Sequence, residues 1–397
     1  MTRVLFYVQH LLGIGHLRRA ALIAQAASAA GLTVDFVSGG LPHPGLDIGG
    51  ARLVQLEPAL RTLDENLSHL VTATGGRLDA AGEATRRDQL LALLAATRPD
   101  VVLTEMFPFG RRQMRFELLP LLEAAREAPW RPRIAASVRD ILTTLKQPGK
   151  TEWILDTVRR LYDRVLVHGD PALVPFERPF PAVAEIAARL RYTGYVVAAL
   201  PPRAAAHGPE VLVSTGGGAV AEPLVAAALA ARALSPLAKS PWRVLIGENL
   251  PAERFAALRA AAPPGVTVER SRPDFLALLS AARLSISQAG YNTTLEVLAA
   301  GTPAVVVPFA AGSETEQTLR ARLLEEQRRL VVVEERGLTP AALAAGIARA
   351  LALPPPPPLP LRLDGAAETA RQLAALAAGA GQDGGPDGPL APGGGGV

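Results

Sequence analysis

The 397-residue sequence contains no cysteine, which excludes disulfides, cysteine-ligated zinc and a thiol nucleophile. Its six histidines are scattered without metal-ligand spacing, so no metal site is expected. Aromatic residues make up only 5% of the chain and no Lys/Arg-rich run occurs, which argues against nucleic-acid binding. No stretch is apolar over about 18 residues, so no transmembrane segment is predicted, although peripheral membrane contact stays open. These absences favour a cytoplasmic protein.

Short segments rich in Val, Ile and Leu alternate with longer Ala- and Leu-rich helical patterns along most of the chain. Continuous apolar strands separated by helices are typical of parallel sheets that are covered on both faces. The chain is too long for one ordinary core, and Pro, Ala and Gly interrupt the alternation near 199–210. The sequence therefore predicts an α/β protein with two doubly wound Rossmann-like domains, 1–200 and 207–353, which face each other across a cleft. The predicted strands are 3–9, 33–39, 99–106, 132–138 and 164–169 in the first domain, and 210–216, 242–247, 266–269, 284–288, 304–309 and 330–335 in the second.

The remainder of the chain follows a proline run. The sequence "PPPPPLP" at 354–360 predicts a stiff spacer. Together with a helical pattern near 364–378, it forms a predicted linker and terminal helix over 354–380. The Gly-rich end, 381–397, cannot bury enough apolar surface to order itself and is predicted to be disordered.

In sheets of this kind ligands bind beyond the carboxyl ends of the strands, so the loops there are the candidate site. The first such loop, "VQHLLGIGHLRRA", has Gly13 and Gly15 where the backbone turns tightly and His16 where the next helix starts. A histidine at this place could act as a general base, because its pKa lies near working pH. The alternative is that His16 only caps the helix and that the glycines only form the turn.

The second loop, "VSTGGGAV", places Gly216, Gly217 and Gly218 between a strand and a helix. Backbone N–H groups at a helix N-terminus favour a phosphate, and the helix dipole adds to this preference. The loop has neither the lysine of a P-loop nor a G-x-G-x-x-G fingerprint, so a plain turn is the alternative.

The third loop, "SQAGYNTTLE", places Gly290 before a helix and Glu296 about one turn into it. We expect the helix dipole to stabilise a carboxylate there by about 0.3–1 kcal/mol. Such a carboxylate could accept both hydroxyls of a ribose. The alternative is an ordinary acidic residue near a helix start. Two glycine-bearing helix starts and one carboxylate together describe a nucleoside diphosphate.

The stretch "SQAGYNTTLEVLAAGTPAVVVPFAAGSETEQ" resembles the donor-binding segment of family 28 glycosyltransferases, the group of the bacterial GlcNAc transferase of peptidoglycan synthesis. Members have two Rossmann-like domains in the arrangement called GT-B. The resemblance covers most of 1–353 in layout and is specific mainly at 213–218 and 287–317. It implies that Glu296 binds the ribose and that Glu316 and Gln317 hold the hydroxyls of the transferred sugar. The residues it implies for the diphosphate are Gly290, Tyr291 and Asn292 with Thr215, Gly216 and Gly217.

The acceptor side departs from the family pattern, because the first loop reads Gly-Ile-Gly-His without paired glycines. The acceptor is therefore unknown, and a lipid-pyrophosphate acceptor is not implied. The acceptor-side candidates are Gly13, Gly15, Arg111, Arg112 and Arg139, of which Arg111 and Arg112 suit an anionic acceptor best. Further polar residues end strands of the first domain, where they either bind an acceptor, serve as a second base, or only solvate loops and cap helices: Glu105, Asp140, His168 and Asp170.

The leading hypothesis is an inverting, metal-independent hexosyltransferase in which His16 deprotonates an acceptor hydroxyl that attacks a UDP-linked sugar. The resemblance implies no cofactor besides this nucleotide-sugar co-substrate, because helix N-termini neutralise the leaving diphosphate. The same layout serves nucleotide-sugar epimerases and hydrolases, which process the sugar without an acceptor. A non-catalytic nucleotide-sugar sensor or assembly partner is a further alternative. A nicotinamide dehydrogenase is disfavoured, because no G-x-G-x-x-G follows strand one and strand two ends without an acidic residue.

Overall fold

The computed structural model of the chain describes residues 1–11, 14–62, 69–142, 149–198, 208–215, 222–247, 250–309, 316–354 and 361–379. These residues form two β-sheets, one in each half of the chain, with helices between the strands. The predicted α/β architecture with two sheets is therefore confirmed.

The first sheet contains eight strands. They are β1 (Arg3–Val8), β2 (Thr33–Gly40), β3 (Arg52–Thr62), β4 (Leu70–Thr72), β5 (Val101–Glu105), β6 (Arg133–Arg139), β7 (Arg164–His168) and β8 (Leu190–Tyr192). Their order in the sheet is β4-β3-β2-β1-β5-β6-β7-β8. All neighbours are parallel except β3 and β4, which are antiparallel. The helices of this half are α1 (Gly15–Ala29), α2 (Ala80–Thr97), α3 (Arg115–Glu127) and α4 (Lys150–Leu161).

The second sheet contains six parallel strands. They are β9 (Val211–Ser214), β10 (Trp242–Ile246), β11 (Val266–Arg270), β12 (Leu284–Gln288), β13 (Ala304–Val307) and β14 (Val331–Val332). Their order is β11-β10-β9-β12-β13-β14. The helices are α5 (Glu222–Arg232), α6 (Ala252–Ala260), α7 (Phe275–Ala281), α8 (Tyr291–Ala300), α9 (Glu316–Glu326) and α10 (Pro340–Ala352).

The central strands follow the predicted pattern because both faces of each sheet are covered. In β1 the five residues after Arg3 are buried, and all five residues of β5 are buried. Such strands tolerate apolar side chains at every position. Three strands were not predicted, namely β3, β4 and β8. The longest of them, β3, carries polar and half-exposed side chains and Pro58, so it lacks a continuous apolar run.

The terminal helix forms as predicted and packs on the first domain. This helix, α11 (Gly365–Ala377), buries Ala370, Leu373 and Leu376 in the same apolar cluster as Leu17 of α1. The chain therefore returns from the second domain to the first after the proline run.

Several predicted segments lie outside the described residues. They are the region of the predicted domain boundary, 199–207, most of the proline run, 355–360, and the Gly-rich end, 380–397. Within the described ranges, no helix combines the length and the apolar character needed to cross a membrane.

The three predicted loops all begin at switch points of the sheets. The order of strands reverses between β1 and β5 in the first sheet and between β9 and β12 in the second. Such a reversal opens a crevice at the carboxyl ends of the strands, where ligands bind. The loops with His16, Thr215 and Gly290 follow β1, β9 and β12. The topology thus places all three at ligand-binding positions.

The two domains also share a buried apolar cluster. Ile141, Leu173 and Tyr195 of the first domain belong to it together with Tyr291 and Leu295 of α8. The start of α8 is therefore packed directly against the first domain.

Candidate active site

The imidazole of His16 lies against the carboxylate of Glu105. His16 is the second residue of α1 and Glu105 is the last residue of β5, so they meet across the switch point of the first sheet. Nδ1 of His16 is 3.1 Å from Oε1 of Glu105. The His16 side chain is 18% exposed, whereas that of Glu105 is fully buried. The histidine is therefore the member of the pair that a substrate can reach.

Two further groups hold the Glu105 carboxylate. The Arg19 guanidinium donates to Oε1, and the Ser137 hydroxyl donates to Oε2. Burial works to raise the pKa of Glu105, but Arg19 and His16 hold that pKa well below its usual range. The carboxylate is therefore ionised.

The Glu105 contact fixes the protonation of His16. An ionised carboxylate only accepts hydrogen bonds, so Nδ1 of His16 carries the proton and Nε2 carries the lone pair. Among the described residues, Nε2 makes no hydrogen bond. Burial, followed by the charge of Arg111, lowers the pKa of His16 to about 3. A neutral imidazole oriented by a carboxylate is the arrangement of a general base.

The N-terminus of α8 is open to a ligand. Gly290 is its N-cap residue, and no side chain caps the helix. A Cβ added at Gly290 would meet no atom within 4 Å. A Cβ added at Gly15 would lie 3.6 Å from Nδ2 of Asn292, so the starts of α1 and α8 are neighbours. Backbone N–H groups without partners at such a helix start favour an anion.

Two residues predicted for the donor are engaged with backbone groups. Oγ1 of Thr215, a buried residue after β9, lies 3.4 Å from the backbone nitrogen of Gly247 and so links the ends of β9 and β10. Oε1 of Gln317 accepts a hydrogen bond from the backbone N–H of Phe309 at 3.1 Å. Four predicted glycines lie outside the described residues, and their roles stay predictions: Gly13, Gly216, Gly217 and Gly218.

The pKa of Glu296 is raised, whereas a carboxylate stabilised by the helix dipole was expected. It is the sixth residue of α8 and so lies beyond the first turn, where the helix dipole acts most strongly. Burial raises the pKa of Glu296 to about 7, and Arg18 opposes that rise. Burial therefore acts against the charged carboxylate, and the stabilisation by the dipole stays a prediction. Within the described part of the chain, Glu296 has no hydrogen bond or ion pair.

Glu316 takes part in an ion cluster at the domain junction. It is the first residue of α9, and its Oε2 contacts Arg139 at the end of β6. Nη2 of Arg320 lies 2.7 Å from Oε1 of Glu316 and 2.8 Å from Oδ1 of Asp140. The cluster therefore joins Arg139, predicted on the acceptor side, to Glu316, predicted to hold the sugar.

The adjacent Arg111 and Arg112 lie in different surroundings. Nε of Arg111 donates to a backbone carbonyl just after β1 at 2.8 Å, and Arg111 makes no ion pair with any described residue. Burial, followed by the charge of Arg139, lowers the pKa of Arg111 to about 10. Arg112 lies over the ring of Trp153, 5.2 Å from its centroid. Of the two, Arg111 is the one whose charge acts on His16.

Two other strand-end candidates are structural. Asp170 accepts hydrogen bonds from two backbone N–H groups, at 2.9 and 3.2 Å, as the capping alternative predicts. His168 is fully buried, with Nε2 2.8 Å from the Ser137 hydroxyl. The hypothesis that His168 is a second base in contact with substrate is therefore wrong.

Sequence analysis missed Arg19, Ser137 and Arg320. Arg19 lies three positions after His16 in α1, a spacing that places both side chains on one face of the helix. Nothing in the sequence near Ser137 or Arg320 marks either residue as part of a site.

Within the described ranges, no cluster of three or more His, Asp or Glu residues could hold a metal ion. The groups suited to a phosphorylated ligand are the backbone N–H groups at the start of α8 and the guanidinium of Arg111.

The second half of the chain has a match to a known family. Residues 211–357 match the family described as "Glycosyltransferase family 28 C-terminal domain". The second domain is therefore similar to the C-terminal domain of family 28 glycosyltransferases. The resemblance predicted from 213–218 and 287–317 is thereby confirmed.

Curated relatives match parts of the chain. The "UDP-N-acetylglucosamine--N-acetylmuramyl-(pentapeptide) pyrophosphoryl-undecaprenol N-acetylglucosamine transferase" of Desulforudis audaxviator (strain MP104C) is 35% identical over 89 residues, which are 22% of this chain and 24% of that protein. The protein of the same name from Thiobacillus denitrificans (strain ATCC 25259 / T1) is 33% identical over 146 residues, 37% of this chain and 40% of that protein. The matches therefore span less than half of either relative.

Solved structures are similar over nearly the whole chain. The glycotransferase of kitacinnamycin superimposes with a TM-score of 0.60 at 18% identity and covers 96% of this chain and 95% of that one. Acinetobacter baumannii MurG gives a TM-score of 0.57 at 16% identity and covers 95% and 99%. Similarity at these identities establishes the fold, and the predicted GT-B arrangement is confirmed.

Proposed function

We propose that the protein is a glycosyltransferase that moves a hexosyl group from a UDP-linked sugar to an acceptor hydroxyl. The observation that carries the proposal is the proximity of Gly15 and Asn292, because it brings the His16–Glu105 pair next to the open start of α8. One cleft then holds both a base and a phosphate-binding position. The family 28 match supports the same class, and the names of the curated relatives support UDP as the nucleotide.

His16 is the base in this reaction. Its Nε2 takes the proton of the acceptor hydroxyl, and the oxygen attacks the anomeric carbon of the donor. A carbon–oxygen bond to the acceptor forms while the bond to the diphosphate breaks, and the nucleoside diphosphate leaves with the electron pair. A single displacement of this kind inverts the configuration. Glu105 stabilises the imidazolium that forms, because its charge lies against Nδ1.

The second domain supplies the leaving-group and nucleotide contacts. The free N–H groups at the start of α8 and the positive end of its dipole stabilise the departing diphosphate, so no metal ion is needed. Glu296, which has no partner within the described residues, accepts the ribose hydroxyls. Hydrogen bonds to a charged group contribute roughly 1.5–3 kcal/mol each.

Substrate binding makes His16 a better base. With a pKa of about 3, the imidazole holds a proton weakly at neutral pH, whereas an efficient base has a pKa near the working pH. After burial, the charge of Arg111 is the largest cause of this low pKa. An anionic group of a substrate that neutralises Arg111 therefore raises the pKa of His16.

Thermal unfolding with a panel of UDP, GDP, dTDP, ADP and NAD tests the donor site. A ligand at about 100 times its Kd stabilises a protein by about 2.7 kcal/mol. We expect UDP to stabilise the wild type and Glu296→Ala to lose most of that effect. Glu326→Ala is the matched control, because Glu326 is an exposed residue of α9. Stabilisation by NAD alone, or by no diphosphate, would contradict the proposal.

Incubation with a UDP-sugar then tests the reaction. We expect UDP release only when an acceptor is added, and loss of release in His16→Gln. Free sugar or an epimer formed without acceptor would identify a hydrolase or an epimerase, and UDP binding without any turnover would identify a sensor.

A further inference from the structure

Tyr291 connects the start of α8, in the second domain, to the first domain, which carries His16. It is the first residue of α8, and its side chain is 9% exposed. Its hydroxyl donates to the backbone carbonyl of His168 at 3.0 Å, a contact between residues 123 positions apart. A helix start that belongs to the proposed donor site is therefore hydrogen-bonded to the end of β7 in the first domain.

His168 in turn holds the far side of Glu105. Burial, followed by the charge of Arg19, lowers the pKa of His168 to about 3, so the imidazole is neutral. Because Ser137 donates to Glu105, Nε2 of His168 carries a proton and donates to Ser137 at 2.8 Å. Nδ1 then accepts from the Thr193 hydroxyl, also at 2.8 Å. This buried series of hydrogen bonds fixes one oxygen of the Glu105 carboxylate.

Tyr291 also covers the arginine that holds the other oxygen. The guanidinium carbon of Arg19 lies 5.2 Å from the centroid of the Tyr291 ring, and that of Arg320 lies 5.1 Å from it. Arg19 donates to Glu105 and lies 3.2 Å from Nδ1 of His16. The distances suit cation–π contacts, which strengthen where water is excluded.

We propose that Tyr291 is a positioning residue through which docking of the donor-binding helix α8 aligns His16. Tyr291 contacts the two sets of groups that hold Glu105. Its ring lies over Arg19, and its hydroxyl donates to the backbone of His168, whose imidazole orients Ser137. A displacement of α8 therefore disturbs both carboxylate oxygens at once. The relation to catalysis rests on the proposed glycosyltransferase function, whereas the coupling of Tyr291 to the His16 imidazole does not.

The coupling is measurable on His16 without any substrate. The charged groups around its imidazole are Arg19 on its own helix, Glu105 on β5, Arg111 in the turn after β5, and Glu316 on α9. We expect removal of the Tyr291 ring to admit water to Arg19, which screens a charge that lowers the pKa of His16. We expect Tyr291→Leu to raise the pKa of His16 from about 3 toward its ordinary value of 6.5, and Tyr291→Phe to raise it less.

Tyr195→Phe is the matched control. The Tyr195 ring lies 6.2 Å from that of Tyr291 in the same cluster, but its hydroxyl lies near the backbone of Asp170 and not near that of His168. Its replacement therefore removes a similar atom at the same junction without breaking the proposed coupling.

NMR titration of the His16 imidazole in the four proteins decides the question. A graded rise in pKa, absent in Tyr195→Phe, supports the proposal. An unchanged pKa in folded Tyr291→Phe and Tyr291→Leu overturns it and makes Tyr291 an ordinary interface residue. If transfer is observed, kcat at saturating donor should fall roughly tenfold in Tyr291→Phe, because loss of the alignment of His16 outweighs the gain from a pKa nearer the working pH. This loss is smaller than the about 10²–10⁴ that a general base contributes. A pKa response without any transferase activity would overturn the proposed function alone.

Discussion

The carboxylate of Glu105 lies 3.1 Å from Nδ1 of His16, although the two residues are 89 positions apart. The contact links a partly exposed base to a fully buried anion. A buried charge close to an imidazole stabilises the imidazolium strongly, because little water is present to screen it. In the proposed reaction, the charge of Glu105, rather than its shape, is therefore what stabilises protonated His16.

Replacement of Glu105 by Gln keeps the shape and removes that charge. We expect kcat to fall about 100-fold, since no anion then stabilises protonated His16. The variant also loses stability, because Arg19 is left buried without its carboxylate. Steady-state kinetics and chemical denaturation measure the two effects.

Glu117→Gln separates catalysis from stability in this comparison. Glu117 forms a buried ion pair with Arg86 in the same domain, and it has no contact with His16. We expect Glu117→Gln to destabilise the protein to a similar extent while kcat stays near the wild-type value. Equal losses of kcat in both variants would show that Glu105 matters only for folding.

The charge of Arg111 can be tested by comparing this residue with the adjacent Arg112. Around the cleft, three arginines have carboxylate partners: Arg19 with Glu105, Arg139 with Glu316, and Arg320 with Asp140. Arg111 has none among the described residues, so it supplies a surplus positive charge. A surplus positive charge in a partly buried place favours an anionic ligand.

We expect Arg111→Gln to weaken stabilisation by inorganic pyrophosphate and to raise the pKa of His16, whereas Arg112→Gln does neither. The contrast follows from the position of Arg112 over Trp153. Thermal unfolding and NMR titration measure the two responses. A similar loss of pyrophosphate binding in both variants would argue for a general charge effect and against a specific anion site at Arg111.

Most of the fold was predictable because covered sheets require apolar strands. Five of the eight strands in the first sheet and all six in the second lie at predicted positions. The loops of the site were predictable for the same reason, since switch points follow from the order of strands. The edge strands β4 and β8 were missed because each has only three residues.

The partners within the site were not predictable from local sequence. Arg19 reaches Glu105 over 86 positions and Arg320 reaches Asp140 over 180 positions, so tertiary packing alone brings them together. The raised pKa of Glu296 had no sequence signal either, because it arises from burial in the folded chain. Helix periodicity predicted the position of Glu296 but not its protonation.

Glu296→Gln is expected to raise the stability of the protein and to lower its affinity for the donor. Burial raises the pKa of Glu296 from 4.5 to about 7, so ionisation above that pKa costs the folded state on the order of 3 kcal/mol. This cost is absent below pH 4.5 and grows as pH rises toward 7. The variant should therefore unfold at a higher temperature than the wild type at pH 8 and at nearly the same temperature at pH 4.5.

The donor affinity should respond in the opposite sense. The Glu296 carboxylate accepts ribose hydroxyls more strongly when it is charged, so UDP affinity of the wild type rises from pH 6 to pH 8. Calorimetric titration of Glu296→Gln should show weaker binding and lack this part of the pH dependence. Identical pH profiles for the two proteins would remove Glu296 from the nucleotide site.

The ion cluster at the domain junction predicts a strong and pH-dependent loss of stability in Arg320→Met. The variant leaves the buried carboxylates of Asp140 and Glu316 without this arginine, which costs about 3–5 kcal/mol for a buried pair. Burial works to raise the pKa of Glu316, but Arg139 and Arg320 hold that pKa below its usual value of 4.5. The stabilisation is therefore fully present above pH 4.5 and is lost as pH falls below it.

Urea denaturation at pH 7 and pH 4 measures this difference. We expect the gap in unfolding free energy between wild type and Arg320→Met to be large at pH 7 and smaller at pH 4, where the released Glu316 carboxylate takes up a proton. Arg322→Met on the same helix is the control, because its ion pairs with Glu325 and Glu334 are partly exposed and contribute about 0.2–1 kcal/mol. A gap at pH 7 no larger than that of the control would mean that the cluster adds nothing to the junction beyond apolar packing.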